Sequence, residues 1–256
     1  MTIVFVYSSG VLSLGQSRTD LLNPMPATRK PAPSLATKKQ PAQARATETY
    51  ERILEVTAHT LADVGIERLS TNLVCERAGL SPPALYRYFP NKYALLSELG
   101  QRLMQQQNEL VGRWISVELF AGSPQALEDA VAGLVLDTYR VTAQTVGGVW
   151  IMRALRAVPA LQQVRLASHA EVTAAQTELL AQALPQANKA ELRLASRIVV
   201  ELIYATVEML FDEALDEQAV ARTVAGMLLS HLERIRPGLA KRPGARSKAP
   251  AGRVKA

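Results

Sequence analysis

The stretch Ser70–Lys92 reads STNLVCERAGLSPPALYRYFPNK and predicts two short helices separated by a tight turn. Ser70 or Thr71 can cap the first helix, because a hydroxyl oxygen accepts one of the unpaired N–H groups at a helix start. Gly79 ends that helix, since glycine enters the left-handed region without a Cβ penalty. Ser81 begins the second helix, with proline at the first position. This layout predicts a helix-turn-helix.

The elements on either side complete a three-helix head. Thr47–Val64 carries apolar residues at helical spacing and packs across the two short helices. Within the second short helix, Ala84, Leu85 and Phe89 are predicted to face inward. This leaves Tyr86, Arg87 and Tyr88 on the surface. Pro90 ends the element, and Asn91 caps a further helix.

Two motifs in this head resemble the TetR family of bacterial transcriptional regulators. They read AGLS at Ala78–Ser81 and LYRYFPNK at Leu85–Lys92, and the resemblance covers Thr47–Leu103. It implies that the helix Pro82–Tyr88 enters the major groove of a palindromic DNA operator. The residues predicted to contact DNA are Ser70, Thr71, Asn72, Ser81, Pro82, Pro83, Ala84, Tyr86, Arg87, Tyr88 and Lys92.

The chemistry of these side chains is compatible with those contacts. Tyr86, Tyr88 and Lys92 can hydrogen-bond phosphate oxygens, which fixes register without reading sequence. Asn72 and Arg87 have the geometry for bidentate contacts with adenine and guanine. Pro82 and Pro83 remove two N–H donors, so Pro83 and Ala84 are expected to contact thymine methyl groups. The alternatives are tyrosine rings that cover the head's own core and a solvated charge at Arg87.

Composition limits the remaining possibilities. The 256 residues include a single cysteine, which excludes an intramolecular disulfide and fits a reducing cytoplasm. No segment approaches the roughly 20 apolar residues that a membrane span needs. The opening MTIVFVYSSGVLSLG lacks a basic region, which favours an extension over a secretion signal. A soluble cytoplasmic protein is therefore expected.

The net charge of +6 is concentrated at the two ends of the chain. Residues 236–256 hold seven Lys/Arg and no acid, and residues 1–46 hold six Lys/Arg and one Asp. Both ends are rich in Pro and Ala, so they are predicted to be disordered. Such basic tails can add phosphate contacts or simply aid solubility.

Helical periodicity without strand-like alternation predicts an all-α fold of about nine helices. We divide it into a basic extension (1–46), a DNA-binding domain (47–104), a helical effector-binding and dimerisation domain (105–235) and a basic tail (236–256). Apolar repeats on the last two helices favour a homodimer through a four-helix bundle. The predicted interface comprises Leu194, Ile198, Leu202, Ala205, Val224 and Leu228.

The resemblance also implies that the body binds a small-molecule effector. An apolar and aromatic set with a few polar anchors is the candidate lining. These residues are Trp114, Tyr139, Trp150, Arg153, His169, Tyr204 and Glu208. For each, the alternative is an ordinary core position.

Motifs of other functional classes are missing from the sequence. It has no Gly-rich phosphate loop, no nucleophile elbow and no metal-ligand spacing among its three histidines. We therefore expect no enzyme activity, cofactor or metal. The main hypothesis is a regulator, by family analogy a repressor that an effector releases from DNA, with activation left open. The alternative is a nucleoid-type helical protein that binds DNA nonspecifically through its basic tails.

Overall fold

The computed structural model describes residues 32–38 and 44–235. Within these residues the chain forms nine α-helices, one short 3-10 turn (Glu118–Phe120) and no strand, which confirms the predicted all-α class. The helices are α1 (Ala44–Arg68), α2 (Thr71–Ala78), α3 (Pro82–Tyr86), α4 (Lys92–Trp114), α5 (Pro124–Gln144), α6 (Gly148–Ala157), α7 (Gln162–Ala183), α8 (Lys189–Asp212) and α9 (Glu217–Ile235). The predicted basic tail at 236–256 lies outside the described residues.

Side-chain caps fix where the long helices begin. The Asn91 side chain accepts the Ala94 N–H at 3.0 Å before α4. Ser123 caps α5 in the same way, with its hydroxyl 3.1 Å from the Ala126 nitrogen. Asn188 caps α8. Each cap satisfies an N–H group that the helix itself leaves unpaired. The sequence predicted the first of these starts, at Asn91.

The helix α1 is longer than predicted and is interrupted near its end. It begins at Ala44 rather than Thr47, and it continues to Arg68 through Gly65, which takes a non-helical φ of 72° and ψ of 178°. The ring of Trp150 lies 3.4 Å from the position that a Cβ on Gly65 would occupy. A residue of α6 thus packs directly against the kink in α1.

One apolar core runs from the head into the body. It contains Ile53 and Leu61 from α1, Phe89 from the end of the helix-turn-helix, and Ile151 and Leu155 from α6. The predicted boundary between residues 104 and 105 falls inside α4, which packs against α1, α5, α6 and α7. The head and the start of the body are therefore joined by shared packing.

The body is built mainly from two helix pairings, α5 with α9 and α7 with α8. A second core fills the space around α5, with Val135 completely buried and Ala221 and Ala225 of α9 packed beside it. No helix in the described part of the chain is long and apolar enough to cross a membrane.

Candidate nucleic-acid interface

The turn between α2 and α3 has the geometry that the sequence predicted. The Ser70 hydroxyl accepts the Leu73 N–H at 3.2 Å and so caps α2. Gly79 follows α2 with φ 63° and ψ 37°, in the left-handed region. The Leu80 N–H then returns to the Cys75 carbonyl at 2.9 Å. These bonds reverse the chain within a few residues and hold α3 against the end of α2.

Ser81 occupies the N-cap position of α3, but its hydroxyl makes no capping bond. The reason lies in the next two residues, because Pro82 and Pro83 have no N–H to donate. The first available N–H belongs to Ala84, and it donates to the Ser81 carbonyl at 2.9 Å. The start of α3 is thus fixed by proline geometry rather than by a side-chain cap.

One face of α3 is buried and the opposite face is exposed. Leu85 and Phe89 have no exposed surface, and Ala84 is half-buried. The exposed predicted contact residues are Ser70, Asn72, Ser81, Pro82, Pro83, Tyr86 and Arg87. We call these seven exposed residues the contact face.

A hydrogen bond ties the two helices of the contact face together. The hydroxyls of Thr71 and Tyr86 lie 3.0 Å apart, and either can donate. Tyr86 remains 39% exposed, so its hydroxyl can still meet solvent or a ligand. The bond orients the ring on the surface of the head.

Two predicted contact residues differ from expectation. Tyr88 was predicted on the surface, but only 5% of it is exposed, and its ring packs edge-on against Tyr50 with centroids 6.0 Å apart. The surface prediction is wrong because Tyr88 follows the end of α3 and no longer keeps the helical period. Lys92 is half-buried, and its ammonium donates to the carbonyls of Ile66 and Leu69 at 3.4 and 3.2 Å. Lys92 thereby satisfies carbonyls at the end of α1.

A short segment that was predicted to be disordered lies against the head. Residues 32–38 belong to the predicted extension 1–46, of which 1–31 and 39–43 lie outside the described residues. The Lys38 N–H donates to the Tyr88 carbonyl at 2.9 Å, and the Asn91 side-chain amide donates to the Ser34 carbonyl at 3.0 Å. Leu35 packs on the core of the head. We call residues 33–38 the strap.

Comparison with known proteins agrees with the geometry of the head. Residues 53–99 match the profile of the bacterial regulatory proteins of the tetR family. This segment belongs to the TetR family. The class C tetracycline repressor of Escherichia coli is 41% identical over 54 residues, which are 21% of this chain and 25% of the repressor. The chain thus spans about a quarter of the length of the curated relatives it matches.

Solved structures share the fold of both the TetR-family head and the helical body. FadR from Bacillus subtilis, in complex with stearoyl-CoA, is similar with a TM-score of 0.54 at 18% identity, over 71% of this chain and 98% of that one. SmeT in a complex with triclosan gives a TM-score of 0.55 at 18% identity, over 72% and 91% of the two chains. At these identities the likeness concerns the fold.

Behind the TetR-family head, a cavity of about 40 Å³ lies between α4, α5, α7 and α8. Of the seven residues predicted to bind an effector, His169 and Tyr204 line this cavity. Their rings are in edge contact, with centroids 4.6 Å apart. The sequence did not single out Gln107, which is buried in the same lining and accepts a hydrogen bond from Tyr204 at 2.8 Å.

The structure places the other five predicted residues outside this cavity. The indole N–H of Trp114 donates to Asp137, and the ring of Tyr139 lies against Phe211. Trp150 packs at the kink in α1 and beneath the guanidinium of Arg153, which pairs with Asp212. Glu208 pairs with Arg156. These aromatic and charged residues have structural partners, which their residue types alone did not reveal.

The predicted dimer residues divide into two groups. Leu194 and Ile198 are 63% and 55% exposed on α8, and Ala205 is exposed on the same helix. Val224 and Leu228, in contrast, pack into the body's own core, with Val224 only 7% exposed. Leu202 is half-buried against that core. The prediction for α9 is wrong at Val224 because its apolar stripe packs on α5. Its exposed apolar residue is Met227, at 62%.

Proposed function

We propose that this chain is a transcriptional regulator that binds a specific DNA operator as a homodimer and releases it when a small molecule binds the body. The contact face carries the proposal. Its polar and apolar groups project from a short helix whose other side is fixed in the core by Leu85 and Phe89. A rigid helix with one free face suits insertion into the major groove.

The predicted DNA-contact residues, on the contact face and next to it, divide into a positioning group and a base-reading group. Ser70, Thr71, Ser81 and the hydroxyl of Tyr86 are suited to phosphate oxygens, which set register. An ammonium group has three N–H donors and Lys92 uses two of them on carbonyls, so it retains one for a phosphate.

A smaller group of residues is proposed to contact the base edges. Asn72 and Arg87, both exposed, are proposed to read base edges. Pro82, Pro83 and Ala84 offer apolar contact to thymine methyl groups. Tyr88 contributes through packing in this proposal, because its ring is buried. A contact face of this kind has few direct base contacts.

A dimer would cover the apolar residues that α8 and α9 leave exposed. Leu194, Ile198 and Met227 are each more than half exposed in the single chain, although such side chains gain about 1.5–3 kcal/mol each on full burial. Two copies of α8 and α9 can form a four-helix bundle. The resulting two-fold axis would match a palindromic operator with half-sites one helical turn apart.

The helix α4 provides a physical connection between operator and effector. It begins at its Asn91 cap beside the contact face, and it carries Gln107 into the body cavity. The solved relatives with stearoyl-CoA and with triclosan hold small molecules, which supports an effector here. An effector lowers operator affinity only by its preference for the conformation that does not bind DNA. We place the regulator in the cytoplasm and propose that it acts as a repressor.

Selection of binding sites from random DNA tests the proposal. Full-length protein should enrich a palindromic sequence, and Tyr86→Phe should weaken binding to all sequences. Arg87→Ala should relax preference at one base pair per half-site, by about 1–3 kcal/mol. Arg113→Ala removes the same charge from an exposed position on α4 that lies 26 residues further along the chain, and it should leave the selected sequence unchanged.

The opposite result has a defined form. Binding that shows no sequence preference, that depends almost wholly on salt and that disappears when residues 1–31 and 236–256 are removed would contradict operator recognition. It would support nonspecific binding through the basic tails instead.

A further inference from the structure

The cavity between α4, α5, α7 and α8 holds several polar side chains that are already paired with one another. The Gln107 amide donates to the Thr142 hydroxyl at 2.7 Å and accepts from Tyr204. The Asn108 amide donates to Ser168 at 2.9 Å. These groups offer a bound molecule little unless an existing bond breaks.

His169 differs from them. It is 1% exposed, and its Nδ1 lies 3.1 Å from a carboxylate oxygen of Glu201. Burial lowers the pKa of His169, although Glu201 opposes this shift. Burial alone would raise the pKa of Glu201, but hydrogen bonds from Arg197 and His169 bring it down to about 2. Near neutral pH the ring is therefore neutral and the carboxyl group is ionised.

This pair of charge states fixes the tautomer of the ring. An ionised carboxylate can only accept hydrogen bonds, so Nδ1 must carry the proton and donate it to Glu201. The second ring nitrogen, Nε2, then holds a lone pair and acts only as an acceptor. It is completely buried and has no hydrogen-bond partner within the described chain. Buried acceptors of this kind normally have a partner.

The charge of the cavity restricts which partner fits. None of the described side chains that line it carries a formal charge when His169 is neutral. Arg165 and Arg197 both contact Glu201, and neither of them lines the cavity. Because no cation lines the cavity itself, an anion entering it would lose its hydration without forming a direct ion pair there. An O–H or N–H group on a neutral molecule meets the Nε2 lone pair at no such cost.

A second cavity extends the space in an apolar direction. It measures about 100 Å³ and shares Leu134, Gln176 and Ile203 with the first. Its further lining comes mainly from leucine, isoleucine, valine and alanine side chains of α5, α7, α8 and α9. The cavity at His169 therefore has a neighbour, separated from it only by shared lining residues, that favours hydrocarbon.

We propose that the effector is a neutral amphipathic molecule that donates one hydrogen bond to Nε2 of His169 and extends its apolar part toward the neighbouring apolar cavity. This inference rests on the proposed function, because it names the chemical class of the effector. It distinguishes a phenol, an alcohol or an N–H heterocycle from a carboxylate or phosphate ligand.

Three compounds of one shape test the assignment. Calorimetric titration of the full-length protein at neutral pH uses 4-butylphenol, which donates a hydrogen bond, 4-butylanisole, which lacks the donor, and 4-butylbenzoate, which is an anion. The phenol should bind about tenfold or more tightly than either other compound. Equal binding of phenol and anisole, tighter binding of benzoate, or no binding of any compound would overturn the inference.

Substitutions of His169 test whether its Nε2 atom causes the preference for the phenol over the anisole. His169→Leu removes the acceptor and should bring phenol and anisole to equal affinity. His169→Gln keeps an amide oxygen and should restore part of the preference. Val172→Ala changes the apolar lining of the same cavity and should weaken both compounds by the same factor. A phenol preference that persists in His169→Leu would place the donor elsewhere and reject the assignment.

The two proposals fail separately. DNA selection on the ligand-free protein uses no effector, so an enriched palindrome with no phenol preference would reject only the effector class. Phenol discrimination without any selected DNA sequence would reject the operator proposal and leave the His169 site in place.

Discussion

The contact between α6 and α1 gives a sharp prediction for Gly147→Ala. Gly147 precedes α6 with a φ of +69°, and a Cβ built there would lie 2.8 Å from the carbonyl oxygen of Ala58 in α1. A left-handed conformation costs alanine about 1–2 kcal/mol, and crowding of a packed site adds about 1–3 kcal/mol. The neighbouring atom belongs to the backbone of a helix, which cannot rotate away as a side chain does.

We therefore expect Gly147→Ala to lower the free energy of unfolding by about 2–5 kcal/mol. In a chain of this size the melting temperature should fall by roughly 5–15 °C. Circular dichroism at 222 nm, during heating and in urea, measures both quantities.

Gly112→Ala is the matched control. Gly112 is exposed in α4, and nothing lies within 4 Å of the added Cβ. This change should stabilise the protein by about 0.5–1 kcal/mol, because alanine is the better helix former. An unchanged midpoint for Gly147→Ala, or equal shifts in the two variants, would refute the reasoning about the close approach of α6 to α1.

Three further predictions concern the head and the charged cluster of the body. Phe89→Ala should lower the free energy of unfolding by about 3–5 kcal/mol, since the ring is completely buried and stacks on Tyr50. Tyr86→Phe removes only the exposed hydrogen bond to Thr71 and should lower it by less than about 1 kcal/mol. Urea denaturation measures both changes. Burial and Glu98 raise the pKa of Tyr50 from 10.0 to about 12, so stability should decline as the pH rises from 10 to 12, and Tyr50→Phe should lack this decline. The pKa of Glu201 is lowered from 4.5 to about 2, so its stabilising effect should be complete above pH 4.5 and disappear toward pH 2; a Glu201→Gln variant whose acid unfolding is as steep as that of the parent would contradict this.

Local signals explain which parts of the fold could be predicted from the sequence. Gly79 and Asn91 act through their own backbone and side-chain chemistry, so the ends and starts of helices beside them were predicted correctly. Helical periodicity, in contrast, failed at two positions. Tyr88 lies two residues beyond the end of the five-residue helix α3, where the turn sets the direction of the side chain. Val224 lies on an apolar stripe that packs against α5, a choice of partner that only tertiary packing determines.

The candidate sites show the same division. The exposed part of the contact face follows from a motif of contiguous residues, and the sequence identified it. The cavity proposed to bind the effector draws its lining from four helices, and residue type alone could not distinguish His169 from Trp150. The strap has no apolar periodicity that could have predicted its position. Two hydrogen bonds and the packing of Leu35 hold it against the head.

The core shared by α1 and α6 determines how this chain can be recombined with chains of the same fold. A chimaera cut after residue 104 would strip Ile151 and Leu155 from the apolar surface that Ile53 and Leu61 present. The apolar surface exposed in this way would favour aggregation of the chimaera over folding to a functional protein. A chimaera meant to transfer the proposed operator specificity should therefore include α6 together with the head. Alternatively, only the side chains of the contact face should be exchanged.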